Sequence, residues 1–332
     1  MMDQANAKRL VAESGKMLLD EKLAARTWGN VSCRVGEGSM AITPSGLGYE
    51  GMKPDDIVSV DMATGEWEGT RKPSSEKGIH ISAYLQFPDA GFVIHTHQTY
   101  ASALGLAGFN FLSLSEEDEK ALGGIALAEY GLSSTKKLAA NVSRAYGSGA
   151  HVVLMAHHGA VIVGKDREEA FSRALLLEGI CRRACMGQPK ADPLLDETLA
   201  NSLIAAAKKE FGHAAYIASA PVLACASDGK AIPAQLDDMA QMIGPRLPVV
   251  KPDESAVMGA LRKSDVVLVP GAGAICRAAT EGDLTALCLL AEKSCICWLH
   301  TQAQGVSGRL SAFDVRLMRT VYRMKYSKKI GG

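Results

Sequence analysis

Phe92-Val93-Ile94-His95-Thr96-His97 is the stretch on which the fold turns. Its apolar opening is that of a buried strand. Residues two apart in a strand point to the same side. His95 and His97 therefore present two imidazoles toward one point, where they can grip one metal ion. A second stretch supplies what the first lacks. Val152-Val153-Leu154-Met155 is another short apolar strand, and it ends at His157-His158-Gly159. His158 is the candidate third ligand. Three neutral imidazoles around a tetrahedral ion leave one position open, the arrangement of catalytic zinc. A lone histidine is more often a satisfied core or surface residue. His-x-His together with a strand-end His-Gly reads as a metal site.

Outward from these strands the chain alternates helix and strand signals. Residues 5–25 carry apolar positions at Leu10, Val11, Met17, Leu18, Leu19 and Leu23, an amphipathic helix that Gly29-Asn30 stops. Val31 to Arg34 and Met40 to Thr43 read as short strands. Ile57 to Val60 and Glu66-Trp67-Glu68 read as a hairpin about Ala63-Thr64-Gly65. Ser74-Ser75 looks like a cap for a helix over 78–87. Further helices are expected over 101–106, 134–146 and 167–186, with an extended stretch over 160–163. Gln188 to Pro193 is the clearest break, and it sets the expected domains at 1–190 and 194–332.

Composition excludes some functions. The chain has 332 residues, 47% hydrophobic and 22% charged, enough for a sizeable core. Lys+Arg and Asp+Glu are both 36, so the net charge is zero. Neither a nucleic-acid nor a membrane-surface partner is expected. The N-terminal stretch is charged throughout and does not read as a signal peptide. No run approaches the roughly 18 apolar residues of a membrane helix. The eight cysteines are scattered and read as reduced core residues of a cytoplasmic protein.

Glu76 follows Pro73-Ser74-Ser75. Alone it is ordinary first-turn acid at a helix N-terminus. Beside a metal it becomes a general acid/base. The hydroxyls of Ser74 and Ser75 offer a phosphate seat at a helix start.

The ordered set Gly29-Asn30-Val31-Ser32, Thr43-Pro44-Ser45-Gly46, Pro73-Ser74-Ser75-Glu76, His95-Thr96-His97 and His157-His158-Gly159 resembles the class II aldolase/adducin family, typified by L-fuculose-1-phosphate aldolase. Gly164-Lys165-Asp166 and Glu169-Ala170 extend the likeness, which covers roughly 5–187. The resemblance implies an α/β fold, a three-layer α/β/α sandwich around a mixed, mainly antiparallel sheet. It implies zinc, or another divalent ion such as Mn2+ or Co2+, on His95, His97 and His158. It implies Glu76 as acid/base, and a substrate phosphate held by Asn30, Ser45, Gly46, Ser74 and Ser75. Tyr130 is carried over as a catalytic tyrosine, and His157 as a residue that either backs the ligands or is oriented away. The implied activity is cleavage of a ketose phosphate through a metal-stabilised enediolate, in a homo-oligomer. Epimerases, dehydratases, decarboxylases and non-catalytic adducin-like modules share the fold.

The second half echoes the first. Val266-Val267-Leu268-Val269 repeats Val152-Val153-Leu154-Met155 at an offset of 114, and Leu289, Leu290, Glu292 and Cys295 repeat Leu175, Leu176, Glu178 and Cys181. Gly271-Ala272 stands where His157-His158 would be. Residues 194–332 are expected to be a smaller α/β unit, a shortened, metal-free copy with a structural role that alters the family's usual tetramer.

Overall fold

Asp3 begins the first helix. Its carboxylate accepts from the Asn6 amide at 2.9 Å, satisfying a donor the helix leaves orphaned. The helix α1 (Gln4–Asp20) buries Ala7, Val11 and Leu18. It stops short of residue 25 because Lys22 and Arg26 both take left-handed backbone angles, φ 56°. The protein is seen in a computed structural model that describes residues 2–108, 112, 114–189 and 194–326. It divides into two compact units, Met1–Ala184 and Cys185–Gly332.

The first unit is built on a seven-stranded sheet. Its strands are β1 (Asn30–Val35), β2 (Ser39–Ile42), β3 (Val58–Asp61), β4 (Phe92–Thr96), β5 (Ile125–Ala128), β6 (Val152–Met155) and β7 (Gly159–Gly164). The order is β3-β2-β1-β4-β7-β6-β5. All neighbours are antiparallel except β5 and β6. Helices α2 (Lys77–Gln86), α3 (Thr99–Ala107), α4 (Glu116–Leu122), α5 (Lys136–Tyr146) and α6 (Arg167–Ala184) complete the unit. Alternate strand residues face opposite sides. Met40, Val60, Val93, Val153 and Val161 pack with Ile79 and Tyr84 of α2 and Leu138 and Val142 of α5. On the other side Gly105 of α3 lies against Leu154. This is the expected three-layer sandwich around a mixed, mainly antiparallel sheet. The expected return strand at Glu66–Glu68 is reduced to one bridge between Val60 and Trp67.

The second unit contains α7 (Glu197–Phe211), β8 (His213–Ile217), α8 (Ala220–Asp228), β9 (Ile232–Pro233), α9 (Asp237–Met242), β10 (Arg246–Leu247), α10 (Glu254–Leu261), β11 (Val266–Val269), β12 (Gly273–Ala278), α11 (Glu281–Ala303) and α12 (Ala312–Tyr326). Its main sheet has the order β11-β12-β8. The register matches the first unit pair by pair. Val152 opposes Ile162 in β6–β7, and Val266 opposes Cys276 in β11–β12, 114 residues on. His95 opposes Val161 in β4–β7, and Tyr216 opposes Ile275 in β12–β8. Strands equivalent to β1, β2 and β3 do not occur in this unit among the described residues.

Candidate active site

The site forms where β4 and β7 run side by side. Two glycines allow the approach. A Cβ on Gly29 would meet the His95 carbonyl oxygen at 2.6 Å, and one on Gly159 would meet that of Thr96 at 2.1 Å. His95, His97 and His158 converge there, with ligand atoms all within 4.8 Å of one another. The Nε2 atoms of His95 and His97 are 3.1 Å apart. The rings of His95 and His158 stack at 4.9 Å.

His95 is preset for a metal. Its Nδ1 lies 2.8 Å from the Ala160 carbonyl, which can only accept. The proton therefore sits on Nδ1, and Nε2 keeps its lone pair. Burial holds His95 well below the usual histidine range, although Glu76 pulls the other way. The ring is neutral at pH 7, as a ligand must be. The donor set, its convergence and its fixed tautomer fit a divalent ion of the zinc type.

Glu76 closes the cluster. It is the N-cap residue of α2, with no side-chain cap bond. Its carboxylate turns inward instead, 3.3 Å from His95 Nε2 and 3.1 Å from His158 Nε2. Asn30 Nδ2 donates to one oxygen at 3.1 Å and Ser133 Oγ to the other at 3.0 Å. Burial pushes the carboxyl up, but the positive charge that His158 and then His95 carry when protonated outweighs it and holds Glu76 well below the usual carboxylate range. A chain of contacts steadies Asn30: His80 Nε2 meets Asn30 Oδ1, and Ser32 Oγ lies 2.7 Å from His80 Nδ1 and 2.8 Å from the Tyr84 hydroxyl. Burial pushes His80 down to about 3, so this ring is neutral too.

The expected phosphate residues are brought partly together. The Ser74 amide donates to the Thr43 carbonyl at 3.0 Å and the Ser45 amide to that of Lys72 at 2.9 Å, which ties their two turns side by side. Ser74 Oγ accepts from the Glu76 amide at 3.2 Å. Exposed Ser75 pairs with Ser134 Oγ at 2.7 Å. Gly46 has φ 72°. Asn30 is 4% exposed and engaged with Glu76. Tyr130 packs its ring on His157 at 5.2 Å. Ser133, His80 and Ser32 went unnoticed as site residues in the sequence. Only the Gly29-Asn30-Val31-Ser32 turn hinted at Ser32, and nothing local marked the other two.

A three-histidine cluster beside an inward carboxylate on this sandwich defines a class II aldolase-type domain. The chain matches the family described as the Class II Aldolase and Adducin N-terminal domain over residues 9–185, and it belongs to that family. An L-fuculose 1-phosphate aldolase of known structure is 33% identical, with a TM-score of 0.51 over 58% of this chain and 92% of that one. YgbL of Klebsiella pneumoniae, whose description leaves aldolase, epimerase and decarboxylase side by side, is 22% identical with a TM-score of 0.51, over 57% and 94% of the two chains. It shares the fold. No helix among the described residues is long and apolar enough to cross a membrane.

Proposed function

We propose that the first unit is a metal-dependent lyase that cleaves a ketose phosphate. The observation that carries this is the Glu76 carboxylate, inward and ionised, 3.1 Å from one of three convergent imidazoles. His95, His97 and His158 hold the ion. Bound there, zinc or a similar divalent cation supplies a Lewis acid that neutralises negative charge developing on the substrate. Glu76 takes a proton from the substrate hydroxyl and returns it to the carbon from which the C–C bond departs. Asn30 and Ser133 fix the orientation of its two oxygens. The turns carrying Ser45, Gly46, Ser74 and Ser75 seat the phosphate through hydroxyls and backbone amides, with Asn30 at their edge. Tyr130, its ring against His157 at 5.2 Å, is in this proposal a second proton carrier. The likeness to an L-fuculose 1-phosphate aldolase favours cleavage over the epimerase, dehydratase and decarboxylase chemistries of the same fold.

The second unit is, in this proposal, a shortened metal-free copy with a structural role in a homo-oligomer. Its matching register supports the reading as a copy.

The test is product detection with a panel of ketose phosphates, with and without chelator, beside Glu76→Gln. Chelator-sensitive release of a triose phosphate, slowed about 10²–10⁴-fold in the variant at unchanged metal content, is the expected result. Full turnover in the variant would remove Glu76 from the chemistry. Release of carbon dioxide from a keto acid would move the assignment to a decarboxylase.

A further inference from the structure

The second unit has a groove of its own, about 620 Å³ in volume, between the paired strands β9 and β10 and helix α12. Five arginines line it: Arg246, Arg309, Arg316, Arg319 and Arg323. The last three recur at i, i+3 and i+7, one face of α12. No carboxylate lines the groove among the described residues. Its floor is apolar, with Leu310 and Val315 both buried.

Like charges gathered this way repel one another. Arg319 is anchored: it donates to the carbonyls of Gln241, at 2.7 Å, and Met242. It reaches Asp265 only at 3.7 Å. Burial lowers its proton affinity, and the charge of Arg323 beside it lowers it further. Arg246, Arg309 and Arg316 make no side-chain hydrogen bond or ion pair among the described residues. Guanidinium forks match phosphate oxygens two bonds at a time. The volume falls within the roughly 300–1,000 Å³ of small-molecule sites. The floor suits a flat, weakly polar group beside the anion.

We propose that this groove binds a small organic polyphosphate of the nucleoside di- or triphosphate class. The proposal does not depend on the lyase assignment.

The test is calorimetric titration of the full chain with ATP at about physiological salt, beside adenosine and inorganic pyrophosphate. The expected result is saturable binding of ATP, tighter than either fragment. Arg309→Gln and Arg316→Gln should each weaken it about tenfold or more. Both side chains are exposed and make no hydrogen bond or ion pair among the described residues, so melting temperatures should stay at the wild-type value. His158→Ala should leave ATP binding intact. No saturation by roughly millimolar ATP would overturn the proposal. So would binding lost in His158→Ala but kept in the arginine variants, which would assign the phosphate to the first unit. Pyrophosphate binding as tightly as ATP would overturn the nucleoside part.

Discussion

In the first unit β6 turns into β7 through His157, His158 and Gly159. In the second, β11 turns into β12 through Gly271, Ala272 and Gly273. The backbone demands are alike. A Cβ on Gly159 would strike the Thr96 carbonyl at 2.1 Å, and one on Gly273 would strike that of Ile217 at 2.3 Å. His157 has φ 65° and Gly271 has φ 79°, both left-handed. The side chains differ. Tyr216 stands in the register position of His95, and Ala272 stands where His158 would be. The strand pairing therefore needs the glycines and does not need the imidazoles. The histidine cluster is an addition to a scaffold that closes without it.

That comparison is broken most directly at His158. The second unit already carries the fully buried alanine at this place, so His158→Ala should fold. If a binding free energy of about 10–16 kcal/mol is shared among the ligands, losing one should weaken metal binding by on the order of 10²-fold or more. Turnover should fall with it. Metal content after desalting and the melting curve measure the two halves separately. A variant that keeps its metal would move the ion elsewhere, and one that unfolds would make the metal a staple of the fold.

A smaller effect appears with pH. Burial holds His80 down to about 3, whereas an unfolded histidine titrates near about 6.5. Between those values the unfolded chain binds a proton that the folded chain refuses. Stability contributed by His80 is therefore present above about pH 6.5 and lost as pH falls toward 3, at about 1.4 kcal/mol per pH unit at full slope. Burial shifts His300 of the second unit in the same direction. The readout is thus the difference between wild type and His80→Gln in urea midpoint at pH 7 and pH 5. The variant should show the flatter dependence. Equal slopes would mean that His80 is protonated in the folded protein.

The three-histidine cluster was legible because strand periodicity aims His95 and His97 one way and a strand end delivers His158. The three-layer sandwich came from the ordered motifs rather than from any single pattern. What escaped reading was short or depended on distant partners. Helix α4 has seven residues, four of them acidic, and buries only Leu122. Strand β5 is four residues, Ile-Ala-Leu-Ala, of which only Ala128 is buried. Neither offers enough apolar periodicity to stand out. Ser133 reaches Glu76 across 57 positions of sequence and His80 reaches Asn30 across 50, separations that no local pattern encodes. The apparent cap at Ser74-Ser75 misled in a useful way. Ser74 does accept from the Glu76 amide, but the residue at the N-cap is Glu76, and its carboxylate has left the helix end for the histidines.

The smallest expected effect tests the residue beside the ligand. His157 is one of four non-glycine residues with positive φ among those described, and the second unit places Gly271 at the same point. A left-handed residue with a Cβ costs roughly 1–2 kcal/mol, while glycine loses roughly 0.5–1 kcal/mol more in backbone freedom on folding. His157→Gly should therefore change stability by no more than about 1.5 kcal/mol, in the stabilising direction. Its imidazole lies outside the convergent trio, so metal content should match wild type. The Tyr130 ring would lose its edge-on partner at 5.2 Å. If Tyr130 carries a proton in the reaction, turnover should fall while metal and fold stay unchanged. Loss of metal in this variant would exchange the roles of the two adjacent histidines. Unchanged turnover would reduce His157 to the strained half of a turn that the second unit makes with glycine.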